Sequence, residues 1–274
     1  MSHPQEYILG QSPDAARRLE IQDAHFADVS EKLLDELPLR PHDRVVELGC
    51  GAGSFSRRIL RRLDERGFMV SVDSAPGMLE QARHGLSQLG LGRFEVVQAD
   101  IASPGTWLDG ADAVVARTVL HHVPMVEFLL GRLRAMLRPG TRLGFIEPDF
   151  RTPLARVAYQ EATGRPELAP LRNWGMAINQ LYQANRISPA VGATLASSLE
   201  LAGCRNVRTW SQECRSDGLM VENMLMFYDE VRDRLTDLGI LSAAEIAAQQ
   251  HLLRTLAVDR LPPVWAVHCV VAET

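Results

Sequence analysis

The chain has 274 residues, of which 46% are hydrophobic and 23% charged, and a formal net charge of −5. That is globular composition for one large domain or two small ones, and it excludes a disordered chain, a collagen-like fibre and a coiled coil. No apolar run approaches the ~18 residues of a membrane span, and the acidic balance lacks a nucleic-acid binder's basic footprint, so neither membrane nor nucleic acid is expected as a partner.

The opening residues, Met1 to Tyr7, carry neither a basic leader nor an apolar core, and a cytoplasmic location is expected. The cysteines Cys50, Cys204, Cys214 and Cys269 are scattered without a C-x-x-C pair, which argues for reduced thiols and against a metal site. Ser12 as N-cap and Pro13 at the first helical position predict a helix. Ala15, Leu19, Phe26, Val29, Leu33 and Leu37 extend its apolar face to Pro38, so residues 1–40 are expected to form an N-terminal helical lid.

From residue 41 to 147 strands and helices alternate. The predicted strands are Arg44–Leu48, Phe68–Asp73, Phe94–Asp100, Ala113–Thr118 and Arg142–Glu147; the helices between them are Ser54–Arg66, Pro76–Leu89 and Met125–Leu137. Short apolar strands joined by helical crossovers imply an α/β fold, a doubly wound parallel sheet covered on both faces. Residues 148–188 break this rhythm with Pro153, Pro166 and Pro170, and are expected as a helical insertion above the sheet. Residues 189–274 return to it with helix Val191–Leu201, a strand near Val207–Trp210, helices Leu219–Leu238 and Ala243–Leu256, and strand Val264–Ala272. The last two strands are expected to be antiparallel neighbours at one edge.

The most informative stretch is Val45-Val46-Glu47-Leu48-Gly49-Cys50-Gly51-Ala52-Gly53, an apolar strand running through three glycines into a helix. Glycine serves where the backbone turns sharply or a ligand approaches it closely. In an open α/β sheet, ligands bind beyond the carboxyl ends of the strands where strand order reverses. A dinucleotide fingerprint would need a third glycine or alanine where Ser54 or Ser56 stands, and there is no nucleoside-triphosphate loop. The spacing, with Glu47 just before it, suits a ligand without phosphates.

Asp73 ends the second strand and faces the same crevice, where a carboxylate accepts both hydroxyls of a ribose; the alternative is an N-cap for the helix at Pro76. Asp100, after the third strand, is placed to accept from an adenine amine or else to form a turn. Ile101 would pack on one face of that ring and Met78 on the other. Arg117 ends the fourth strand; it either lines the cleft through its backbone or pairs with Asp112 or Glu147.

In order and spacing, Gly49-Cys50-Gly51-Ala52-Gly53, Asp73, Ala99-Asp100-Ile101, Leu120-His121-His122 and Leu137-Arg138-Pro139-Gly140 resemble the motifs of class I S-adenosylmethionine-dependent methyltransferases. Tyr7-Ile8-Leu9-Gly10 followed by Arg17-Arg18-Leu19 is similar to the lid of small-molecule members from bacterial secondary metabolism. The resemblance implies a Rossmann-like, mostly parallel sheet of seven strands with the last one antiparallel. It implies S-adenosylmethionine as cofactor, S-adenosylhomocysteine as product, and no metal. Tyr7 would close over the methionine end, and Ser74 joins Asp73, Glu47 and the glycines as a cofactor contact. The expected reaction is methyl transfer to carbon or oxygen of a small, largely apolar, natural-product-like acceptor, in a monomer or homodimer. The alternatives are an N-methyltransferase, a nicotinamide-dependent oxidoreductase and a non-catalytic cofactor-binding protein.

His121 and His122 are the candidate general bases, since imidazole is the side chain most easily poised near neutral pH. The alternative is that both simply pack in the loop before Pro124. Trp174, Asn179 and Tyr182 in the insertion form either a substrate wall or the insertion's own core.

Overall fold

The computed structural model describes residues 13–214 and 216–274. Tyr7 and the Ser12 cap lie outside them. The first helical stretch is two helices, α1 (Pro13–His25) and α2 (Ala27–Glu36), not one. The break falls at Phe26, whose backbone (φ −96°, ψ 13°) leaves the helical region while its ring buries against Trp265 at 5.8 Å between centroids. Anchoring Phe26 there turns α2 onto the sheet, where Val29, Leu33 and Leu34 are buried, and leaves α1 lying across the strand ends.

The five parallel strands are β1 (Arg44–Leu48), β2 (Phe68–Asp73), β3 (Arg93–Gln98), β4 (Ala113–Arg117) and β5 (Arg142–Asp149). Between them run α3 (Ser54–Leu60), α4 (Pro76–Ser87) and α5 (Val126–Met136). After β5 come α6 (Arg151–Ala162), α7 (Ala169–Ala184) and α8 (Val191–Leu201). The chain continues with β6 (Arg205–Cys214), α9 (Gly218–Asp237), α10 (Ala243–Thr255) and β7 (Trp265–Glu273). The sheet order is β3-β2-β1-β4-β5-β7-β6, with β7 antiparallel to both neighbours. The last two strands are therefore the antiparallel neighbours expected, with β6 at the edge and extending over Arg205–Cys214 rather than only Val207–Trp210.

Alternation along the strands divides the core. Val45, Met69, Val115 and Ile146 face the layer holding α2 and α3, while Val46, Val70, Val114 and Phe145 face α5 and α8. Each of these strand residues is fully buried, consistent with the near-continuous apolar runs of parallel strands covered on both faces. Strand order reverses between β1 and β4, so the carboxyl tips of these two strands open a crevice.

Candidate active site

The glycine loop leaves β1 into that crevice. Gly49, Gly51 and Gly53 have φ of +66°, +52° and +82°, a region that side-chain-bearing residues avoid. A Cβ on Gly49 would stand 2.2 Å from Val119 Cγ2, so here the loop also needs the space. Asp73 fixes the loop from β2: its Oδ2 accepts from Gly51 N at 2.8 Å and its Oδ1 from Ala75 N at 2.9 Å. Asp73 thus organises both the loop and the turn into α4. Burial holds its carboxyl above the usual carboxylate range, against the pull of the Ala75, Gly51 and Ser74 N–H groups.

A cavity of about 400 Å³ follows the strand tips. Glu47, Gly49, Gly51, Asp73, Ser74, Asp100, Ile101 and Arg117 all line it, with Leu19 and Gln22 of α1 above. Two expected contacts are elsewhere. Met78 is buried in a cluster with Ala15, Ala16, Ala52 and Ala75, because α4 turns that face toward α1. Gly53 is the N-cap of α3 and packs on Ala82, where a Cβ would approach to 3.1 Å; its role is helix packing.

Arg117 lines the cleft as expected, but its side chain pairs with neither Asp112 nor Glu147. Its guanidinium donates to Asp23 Oδ1 (2.6 Å) and Ser30 Oγ (3.0 Å) through Nη1, and to Ser54 Oγ (2.9 Å) through Nη2. Arg58 also holds Asp23, at 2.7 and 3.1 Å. Burial opposes ionisation of Asp23, but Arg58 and Arg117 together hold its carboxyl below the usual range. Asp112, one expected partner, pairs with Arg138, and Glu147, the other, is occupied by the histidine loop. The site thus ties α1 to the strand tips through ion pairs that the sequence does not reveal, since Asp23 and Arg117 are 94 residues apart.

Beyond β4 the chain passes Thr118, itself at φ +54°, into a single helical turn at Leu120–His122. Glu147 of β5 is wholly buried beneath this turn. Its Oε1 accepts from Val119 N (2.9 Å) and Leu120 N (2.7 Å), and its Oε2 from His121 N (3.2 Å) and Nδ1 (2.7 Å). With both Glu147 oxygens accepting, Nδ1 of His121 carries a proton. The His122 ring lies 4.0 Å from that of His121. Burial pushes the His122 imidazole well below its ordinary range, helped by His121 and Arg18. Among the described residues no group of three His, Cys, Asp or Glu side chains is arranged to hold a metal ion.

A second cavity, about 50 Å³, adjoins the first and shares Leu19, Gln22, Thr118 and His122 with it. Aromatic rings make its walls: Phe26, Phe150, Trp174, Tyr182, Phe227 and Trp265. Trp174 and Tyr182 thus lie in this wall and in the large core cluster shared with α2, α9 and β7. Asn179 does not line the cavity; it is half-buried on α7, and its neighbour Ile178 takes the place expected for it. Phe227 and Asn223 of α9 and Trp265 of β7 were not foreseen. Their only signal is an aromatic or polar residue within otherwise apolar segments.

Residues 46–143 match the profile of a methyltransferase domain family. The trans-aconitate 2-methyltransferase of Variovorax paradoxus is 34% identical over 167 residues, 61% of either chain. The aklanonic acid methyltransferase DauC of a Streptomyces species is 28% identical over 126 residues, 46% of this chain and 57% of that one. In structure, a phosphoethanolamine N-methyltransferase of Haemonchus contortus, solved with S-adenosylhomocysteine, superposes with a TM-score of 0.63 at 12% identity, over all of this chain and 60% of that one. Residues 46–143 thus carry the sequence pattern of a methyltransferase domain. The chain spans about three-fifths of the length of the curated relatives it matches first.

The cleft fits S-adenosylmethionine, the cofactor that the sequence resemblance implies. A Cβ on Gly51 would stand 3.1 Å from Leu19 Cδ1, filling the gap between loop and roof that an adenosyl group needs. Asp73 and Asp100 carry acceptors, Ile101 an apolar face and Glu47 a carboxyl along the same cavity. Burial pushes the Glu47 carboxyl up to about 8, against the Ser56 hydroxyl that donates to it and the charge of Arg117.

That shift has a thermodynamic consequence. The folded state holds a proton on Glu47 that the unfolded chain releases above its ordinary value of 4.5. Stability from this group is complete below pH 4.5 and declines as pH rises toward 8, by at most ~1.4 kcal/mol per pH unit. Denaturant unfolding of the free protein across that range should show the decline, and Glu47→Gln should flatten it. Parallel profiles for the two proteins would refute the assignment.

Proposed function

We propose that the protein transfers a methyl group from S-adenosylmethionine to a carbon or oxygen atom of a small, largely apolar, natural-product-like acceptor. One observation carries this reading: the aromatic cavity adjoins the glycine-loop cleft at Thr118 and His122, so an acceptor there meets whatever the cleft holds. Bound in the cleft, the cofactor supplies a methyl carbon already activated by its sulfonium, which an electron pair of the acceptor takes as the carbon–sulfur pair returns to sulfur.

The chain's own residues position, dry and deprotonate. Asp73 and the glycine loop seat the adenosyl group. Leu19 and Gln22 close the cleft, which matters because a charge-dispersing transfer is faster away from water. Alignment of two bound reactants contributes up to about 7–11 kcal/mol. His121 serves as general base: Glu147 holds Nδ1 protonated, and Nε2 takes the proton that an enol, phenol or acidic C–H gives up. His122 stands beside it as wall.

The test is release of S-adenosylhomocysteine during incubation with S-adenosylmethionine and enolic, phenolic and amine acceptors. Turnover with the first two and not the amines supports the reading; turnover confined to amines replaces it with N-methylation. Asp73→Ala should weaken S-adenosylhomocysteine binding by ~1–3 kcal/mol, about 5- to 150-fold, in a calorimetric titration. Unchanged affinity would remove Asp73 from the site.

A further inference from the structure

Three side chains that line the aromatic cavity carry a buried polar atom with no partner among the described residues: the indole nitrogens of Trp174 and Trp265 and Oδ1 of Asn223. These side chains belong to residues only 3%, 4% and 2% exposed. Buried polar groups are nearly always paired, because an unmade hydrogen bond is costly, so three on one small cavity point to a ligand that completes them. An indole N–H only donates, so the ligand brings an acceptor atom to each tryptophan. The two indoles stack with centroids 6.0 Å apart and planes 25° from parallel, so they stand side by side in the wall.

Charge supplies the second constraint. Among the described residues Arg18 is the one arginine or lysine on this cavity, and its Nε lies 2.5 Å from Glu230 Oε2 with both side chains buried. The guanidinium also sits over Phe227, 5.6 Å from the ring centroid. The pair is neutral overall, so no fixed positive charge is left to desolvate several carboxylates, and burying unpaired charge is prohibitive.

Building on the methyl-transfer reading, we propose that the acceptor is a flat conjugated enol or phenol with a second carbonyl oxygen on the same edge, such as a β-dicarbonyl or hydroxyquinone. Its oxygens accept from Trp174 and Trp265, Asn223 takes its hydroxyl, and polycarboxylates are excluded. The cavity of about 50 Å³ takes the oxygen-bearing edge.

The probes are a hydroxynaphthoquinone and the tricarboxylate trans-aconitate, titrated by calorimetry with and without saturating S-adenosylhomocysteine. The quinone should bind at one site per chain at least about tenfold more tightly than the tricarboxylate, and Trp174→Phe and Trp265→Phe should each weaken it about tenfold. Nitrogen-15 spectra of the unaltered protein give a readout that survives a misfolded variant. Of the four indole N–H signals, the two left after Trp107→Phe and Trp210→Phe assign the others should move downfield with the quinone. Tighter binding of the tricarboxylate, binding of neither probe, or indole signals that stay in place would overturn the proposal. Failure to bind S-adenosylhomocysteine would instead count against the methyltransferase reading, while the probe titrations still decide the acceptor class.

Discussion

Gly49→Ala is expected to abolish cofactor binding, the largest loss from any single methyl group added to this protein. Two penalties combine. The left-handed backbone at φ +66° costs a side-chain-bearing residue roughly 1–2 kcal/mol. The new Cβ would then sit 2.2 Å from Val119 Cγ2 and 2.8 Å from Val119 Cβ, and overpacking of this kind costs roughly 1–3 kcal/mol more. Val119 cannot retreat freely, because its N–H is held by the buried Glu147. The loop must therefore shift, and with it the Gly51 N–H that meets Asp73. Affinity for S-adenosylhomocysteine should fall at least ~100-fold, with a stability loss of about 2–5 kcal/mol in denaturant. Gly51→Ala is the control: its backbone penalty is similar, but its Cβ meets only the tip of Leu19, at 3.1 Å. Equal losses in stability for the two variants would show that the Val119 contact is not what confines position 49.

The second large effect concerns the base. His121→Ala should lower turnover of an enolic acceptor by ~10²- to 10⁴-fold while leaving S-adenosylhomocysteine affinity within a few-fold. Because the variant lacks only a proton acceptor, its deficit should shrink as rising pH ionises the acceptor in solvent. A deficit constant with pH would mark His121 as packing alone. Glu147→Gln should act through His121 and also cost stability. An amide group must then face either the Val119 and Leu120 N–H groups or those of His121, leaving buried donors opposed by donors. That costs about 2–5 kcal/mol, measurable in denaturant. His122→Phe should have a much smaller effect on rate, since a histidine pushed well below its ordinary range by burial is a poor base.

The cleft was more legible in the sequence than the cavity beside it, for a physical reason. Gly49, Gly51, Asp73 and Asp100 follow directly from strand ends, and parallel strands bring their carboxyl tips together wherever their helices lie. Met78 and Asn179 sit on helices, where the face turned to the ligand depends on neighbours packing from far along the chain. For Met78 the neighbour is α1 with Ala15 and Ala16, and nothing local to α4 reports it. Gly53 carried the same glycine signal as Gly49 but answers to helix capping. Phe26 looked like one more apolar position on a continuous helix; its contact with Trp265, 239 residues away by subtraction of their numbers, breaks the helix. The role of Glu147 is likewise invisible until β5 lies beside β4 and places a carboxyl under the turn after it.

The most direct test of the whole account is a crystal structure of the protein grown with S-adenosylhomocysteine. The account predicts the ribose at Asp73, the adenine between Asp100 and Ile101, and the sulfur turned toward Thr118 and His122, where the aromatic cavity begins. A ligand density absent from the glycine loop, or a sulfur directed away from that cavity, would contradict it.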